Sequence, residues 1–208
     1  MSEPVPTVFI VDDDDEVRES LADLVDSVGL VAQTFPNAPS FLSKHCADDV
    51  GCLLLDIRLP GMSGLDLQQI LEEQNSTLPV IFISGHGDVP MAVEAMRRGA
   101  VDFIEKPYRD QELLDRINGA IETGQKRQNE RAEIDEIKEH FETLTPRERE
   151  VMGLIVQGQA NKVIAIDLGL SQRTVEVHRA RVMEKMQVRS LAQLVRAHGR
   201  LESQDDRH

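Results

Sequence analysis

Apolar residues recur along this chain in two alternating rhythms. Short stretches at 7–11, 30–35, 51–56, 79–84 and 102–105 read as strands, and the unbroken apolar run leading into Asp56 reads as one buried on both faces, the pattern of a parallel sheet. Residues 16–28, 38–44, 64–74, 90–98 and 109–124 instead carry apolar side chains at helical spacing, as Val17, Leu21, Leu24, Val25 and Val28 do in the first. Gly29 and Gly99 supply stop signals, and Asp14 or Asp15 an N-cap. Five strands alternating with five helices predict an α/β domain with the flavodoxin-like (βα)5 order, spanning 1–122.

The rhythm then changes. Residues 125–143 are polar and charged, with Ile134, Ile137, Phe141 and Leu144 at helical spacing. The stretch 123–143 is expected to be a helical linker able to continue from the fifth helix, its narrow apolar stripe either paired with a second chain or packed on its own domains. Beyond it the pattern is helical only. Thr145, Pro146 and Glu148 supply an N-cap, a first helical residue and a capping-box partner. Helices are expected over 146–157, 161–168, 172–186 and 190–197, with Gly158 and Gly169 ending the first two and Ser171 capping the third. Two helices joined by a short turn containing Gly have helix-turn-helix geometry. Residues 144–200 thus read as an all-α four-helix domain, and 201–208 as a polar, disordered tail.

Charge has to be read by segment. The net charge of −14 argues against a nucleic-acid partner. Residues 1–122, however, hold 8 Lys and Arg against 23 Asp and Glu, whereas 144–208 hold 11 against 8. The acidity belongs to the first domain, and the last is mildly basic and able to meet phosphates. No apolar run approaches 18 residues, so no membrane span is expected. The start of the chain lacks the pattern of a secretory signal, and Cys46 and Cys52 lack metal-ligand spacing. Two reduced thiols in a cytoplasmic protein is the expectation.

Candidate chemistry sits at the strand ends. The apolar run 52–55 leads into a lone Asp56, followed by a turn rich in Pro and Gly. Asp12 and Asp13 end the first strand, Ser84 the fourth, and Lys106 follows the fifth. A parallel sheet brings these ends to one edge, where open α/β sheets bind ligands. A carboxylate there serves as metal ligand or nucleophile. Three converging carboxylates repel unless a cation sits among them, and an all-oxygen set suits Mg2+. A hydroxyl and a lysine suit a phosphoryl group carried on Asp56.

In the second domain the third helix is the informative one. Val175, Val182 and Met186 form its inward stripe. Arg173, Glu176, Val177, Ala180 and Arg181 point outward, flanked by Arg179 and Lys185. Such a face fits the major groove, where Arg reaches guanine and small apolar groups meet thymine methyls. It equally fits an ordinary solvated helix.

The segments VDDDDEVRESL, LLLDIRLPGMSG, FISGHGDVPMAVEAM and AVDFIEKPY resemble the receiver domain of two-component response regulators, and GHGDVPMAVEAM resembles the FixJ subfamily. The resemblance covers residues 7 to about 122. It implies that a sensor histidine kinase phosphorylates Asp56. It implies that Asp13, Asp56 and the Arg58 carbonyl bind Mg2+, with Asp12 holding a metal-bound water. Ser84 and Lys106 would bind the phosphoryl oxygens, and Phe103 matches the aromatic that rotates inward on activation. Arg58 and His86, each two residues past a pocket residue, occupy places that influence dephosphorylation in such domains.

The segment LTPREREVMGLIVQGQANKVIAIDLGLSQRTVEVHRARVMEKM resembles the LuxR/FixJ/NarL-type four-helix DNA-binding domain, covering 144 to about 197. It implies that 172–186 is the recognition helix on double-stranded promoter DNA. Glu176, Val177 and Ala180 would face bases. Arg173, Thr174, His178, Arg179 and Arg181 would make phosphate or mixed contacts, joined by Lys162. A homodimer formed on phosphorylation and contact with RNA polymerase complete the implied partners. Two rival readings remain. A regulator independent of phosphorylation sits poorly with the full acidic pocket. An aspartyl-phosphate phosphatase of the haloacid dehalogenase type would need an acid two residues after Asp56, where Arg58 stands.

Overall fold

The computed structural model of the chain describes residues 5–47, 49–85 and 89–205, with side chains as far as residue 202. Five parallel strands build one sheet: β1 Thr7–Val11, β2 Val31–Phe35, β3 Gly51–Asp56, β4 Val80–Ser84 and β5 Asp102–Glu105, in the order β2-β1-β3-β4-β5. Helices α1 Asp15–Ser27, α2 Ala38–Leu42, α3 Gly64–Glu73, α4 Val89–Arg97 and α5 Asp110–Glu142 connect and follow them. This is the flavodoxin-like order.

Strand alternation divides the core in two. Phe9, Val11, Leu53, Leu55, Val80 and Phe82 face one side, against Leu67 and Leu71 of α3 and Ala95 of α4. Val8, Ile10, Leu54, Ile81 and Ile83 face the other, against Leu21 and Val25 of α1 and Leu113 and Ile117 of α5. Burial on both faces holds for β1, β3 and β4. The strands β2 and β5 are the sheet's edges and are more open: Val31, Gln33 and Thr34 are exposed, as is Glu105. The register sets the functional edge, with Val11 beside Leu55, Asp56 beside Ile83 and Ser84 beside Glu105. Gly51 fits only as glycine: its φ is +140° and a Cβ would lie 1.8 Å from the Thr7 carbonyl oxygen.

Helix α5 does not end near Gly124. It runs unbroken for 33 residues, through Gly119 and Gly124, because no proline or cap interrupts the polar stretch that follows. The chain divides into two compact units between Asn129 and Glu130, inside this helix. The second unit holds the end of α5 and α6 Pro146–Val156, α7 Asn161–Asp167, α8 Gln172–Lys185 and α9 Leu191–Asp205. Its core is Leu144, Val151, Met152, Ile155, Ile164, Val175, Val182, Met186 and Leu194, with Ile137 and Phe141 packed against it. Three members of the linker stripe are therefore used within this unit.

Both N-caps expected in the second unit are present. Thr145 and Glu148 form a reciprocal capping box, and Ser171 Oγ accepts the Thr174 N–H. The final helix corrects an expectation. It continues to Asp205, through most of the stretch read as a disordered tail. Gly199 does not break it, and His198 lies 3.5 Å from Glu202 one turn on, while Arg200 pairs with Glu133 of α5.

Candidate functional site

Asp12 and Asp13 follow β1, Asp56 ends β3, and Lys106 follows β5. One carboxylate oxygen from each of the three acids lies within 4.8 Å of the others. Asp12 is buried, Asp56 half-buried and Asp13 exposed. Asp12 Oδ1 accepts the Asp14 N–H at 3.0 Å, and Oδ2 accepts from Lys106 Nζ at 2.8 Å. The same ammonium is 4.0 Å from Asp56 Oδ2. Asp56 Oδ1 accepts the Arg58 N–H at 3.1 Å, so the turn after β3 orients the carboxylate.

Burial holds the Asp56 carboxyl above its ordinary range. The Arg58 N–H and Lys106 pull it down, and the charges of Asp12 and Asp13 push it up. Repulsion within an all-oxygen donor set fits a hard divalent cation, which would relieve it. Gly64, at the start of α3, is part of this geometry. A Cβ there would lie 2.4 Å from the Asp56 carbonyl oxygen.

Ser84 is buried at the end of β4, and its carbonyl accepts the Lys106 N–H at 2.7 Å. Lys106 and Pro107 are joined by a cis peptide. Phe103 is half-buried, pairs in register with Phe82 and packs on the α3–α4 side of the core. Burial, together with the charges of Asp12 and Asp110, raises the Tyr108 phenol. His86 lies outside the described residues. One residue of the pocket had no role in the sequence reading: Arg18 of α1, whose Nη1 donates to the Asp12 carbonyl at 2.6 Å.

The expected DNA-contact residues separate by exposure. Arg173, Glu176, Val177, Ala180 and Arg181 are exposed on α8, and Lys162 is exposed on α7. The other three are half-buried. The Thr174 hydroxyl is 2.7 Å from the Ser171 hydroxyl, and Arg179 Nη1 donates to Asn161 Oδ1 at 3.3 Å. His178 Nδ1 is buried with no hydrogen-bond partner among the described residues. Helix phase explains this, because His178 and Arg179 lie three and four residues from the buried Val175.

Residues 8–118 match the family model described as "Response regulator receiver domain", and 142–198 match that of "Bacterial regulatory proteins, luxR family". The chain is 50% identical over 189 residues to Nodulation protein W of Bradyrhizobium diazoefficiens, covering 91% of this chain and 83% of that one. The chain belongs to the response regulators. It is a two-component, DNA-binding member of that family with a receiver and a LuxR-type domain. The regulator is also 44% identical over 196 residues to the Transcriptional regulatory protein FixJ of Azorhizobium caulinodans, covering 94% and 92% of the two chains. The solved structure of Response Regulator StyR superimposes with a TM-score of 0.80 at 44% identity, covering 94% of the regulator and 99% of StyR. This family acts in transcription and is not one of enzymes, so the phosphatase reading of Asp56 is dropped. Among the described residues, no helix of the regulator is long and apolar enough to cross a membrane.

Proposed function

We propose that Asp56 accepts a phosphoryl group from a sensor histidine kinase and that this controls promoter binding. The observation that carries the reading is the convergence of Asp12, Asp13 and Asp56, with Lys106 Nζ 4.0 Å from Asp56 Oδ2. An Asp56 carboxylate oxygen attacks phosphorus, the P–N bond of the kinase's phosphohistidine breaks, and the electron pair leaves with the imidazole. Asp13, Asp56 and the Arg58 carbonyl would hold Mg2+, with Asp12 positioning a water. Bound there, the ion would offset the charge that builds on the phosphoryl oxygens. Lys106 and the Ser84 hydroxyl neutralise and bind those oxygens. Phe103 then turns inward and alters the α4–β5 surface.

The receiver is assigned to 1–122, the linker to 123–143 and the DNA-binding domain to 144–200. The altered α4–β5 surface joins two copies into a homodimer, placing two α8 helices on paired half-sites of cytoplasmic promoter DNA. Glu176, Val177 and Ala180 read base edges, while Arg173, Arg181 and Lys162 meet phosphates. Thr174, His178 and Arg179, half-buried, complete the contact edge, and RNA polymerase is the downstream partner.

The test is molar mass by light scattering, with and without a small phosphodonor and Mg2+, on wild type and Asp56→Ala. A rise from monomer to dimer in wild type alone is expected. A dimer under every condition moves the switch away from association. Absence of phosphate uptake by wild type overturns the assignment of Asp56.

A further inference from the structure

We propose that Arg18 is a positioning residue of the acidic pocket. It holds the Asp12–Asp13 peptide in the orientation that presents both carboxylates to Mg2+. This rests on the reading of the pocket as an Mg2+ site.

Arg18 Nη1 donates to the Asp12 carbonyl oxygen at 2.6 Å. That oxygen and the Asp13 nitrogen belong to one rigid planar unit. Gripping it fixes ψ of Asp12 and φ of Asp13, and so the directions from which both side chains leave the backbone. Asp12 has other supports, because its two carboxylate oxygens accept from Asp14 and Lys106. The Asp13 carboxylate makes no hydrogen bond to the described residues, so only its backbone aims it.

The Arg18 side chain is only 12% exposed, and its other terminal nitrogen pairs with Asp15. Both terminal nitrogens of the guanidinium are thus engaged. Capping of α1 does not need it. Asp14 is the N-cap and accepts from the Glu16 and Val17 N–H groups. A cation this close to a helix N-terminus also opposes the helix dipole, so the position carries a local cost that the Asp12 contact offsets.

Charge and geometry predict opposite signs. Arg18 adds a positive charge beside an acidic run, Asp12 to Glu16. If it acted by charge alone, removing it would tighten Mg2+ binding. If it acts by position, removing it weakens binding even though the site becomes more negative.

The experiment is a calorimetric Mg2+ titration of the full chain as wild type, Arg18→Ala, Arg18→Lys and Asp13→Asn. Melting in EDTA shows that each variant is folded at the titration temperature. Arg18→Ala is expected to lose about tenfold in affinity, the scale for losing a residue that orients a metal ligand. Arg18→Lys keeps the charge without the planar fork and is expected to weaken binding as well. It also serves as the second variant if Arg18→Ala does not fold. Unchanged or tighter binding in a folded Arg18 variant overturns the positioning role. If wild type binds no Mg2+, or Asp13→Asn binds as tightly as wild type, the site reading itself fails. That result is distinguishable from failure of Arg18 alone.

Discussion

Asp56 is held in a strained electrostatic position, and this has a measurable sign. Burial and the two neighbouring acids raise its carboxyl above the ordinary value. The folded chain therefore holds that proton more tightly than the unfolded chain. The resulting penalty is absent at low pH, grows as pH rises through the raised value, and persists at neutrality. Asp56→Asn in metal-free buffer should raise Tm by about 1–3 °C at pH 7, with the gain vanishing towards pH 3. A loss of Tm at neutral pH would contradict this account. Glu148 is the opposite case. Burial tends to raise its carboxyl, but hydrogen bonds from Lys185 and from Thr145 together bring it down to about 2. Its contribution is present above the ordinary Glu value and is lost as pH falls from the mid-fours towards 2. Glu148→Gln is expected to cost about 2 kcal/mol at neutral pH and little once the pH has fallen to about 2, followed by circular dichroism melts.

At the scale of elements, the start of α3 and the face of α8 make separate predictions. Gly64→Ala forces a Cβ towards the Asp56 carbonyl oxygen and Ile57 Cα, both backbone atoms that cannot swing aside. A loss of about 1–3 kcal/mol is expected, with slower phosphodonor uptake in the folded fraction. Wild-type uptake would show that α3 yields instead. On α8, Arg181→Ala should weaken DNA binding about equally across sequences and lower the salt slope by about 1, the mark of a lost phosphate contact. Val177 and Ala180 substitutions should instead change sequence preference. Arg179→Ala mixes effects, because that side chain also donates to Asn161 between α7 and α8.

For the whole molecule, the uneven charge is the dominant long-range feature. A strongly acidic receiver tethered to a weakly basic DNA-binding domain should lower the latter's affinity for DNA at low salt. A chain reduced to the second unit, once shown folded, is expected to bind more tightly than the unphosphorylated full chain. Equal affinities would remove the effect. Much of the fold and pocket was legible because short buried strands end in polar residues, and parallel topology brings those ends together. Asp12, Asp13, Asp56 and Lys106 needed no more than that. The stretch after Gly124 was legible as a helix able to continue the fifth, but the length of α9 was not, since a polar helix without a cap carries no clear stop. Half-burial of His178 was readable from its spacing to Val175 and Val182. The reach of Arg18 to Asp12 was not, because a bond from a side chain to a main-chain oxygen leaves no periodic trace. The chain has a single tyrosine and no tryptophan, and that tyrosine, Tyr108, is two residues past Lys106 in the field of Asp12. Its ultraviolet emission is therefore a label-free, single-site gauge of the pocket, free of background from any other phenol or indole.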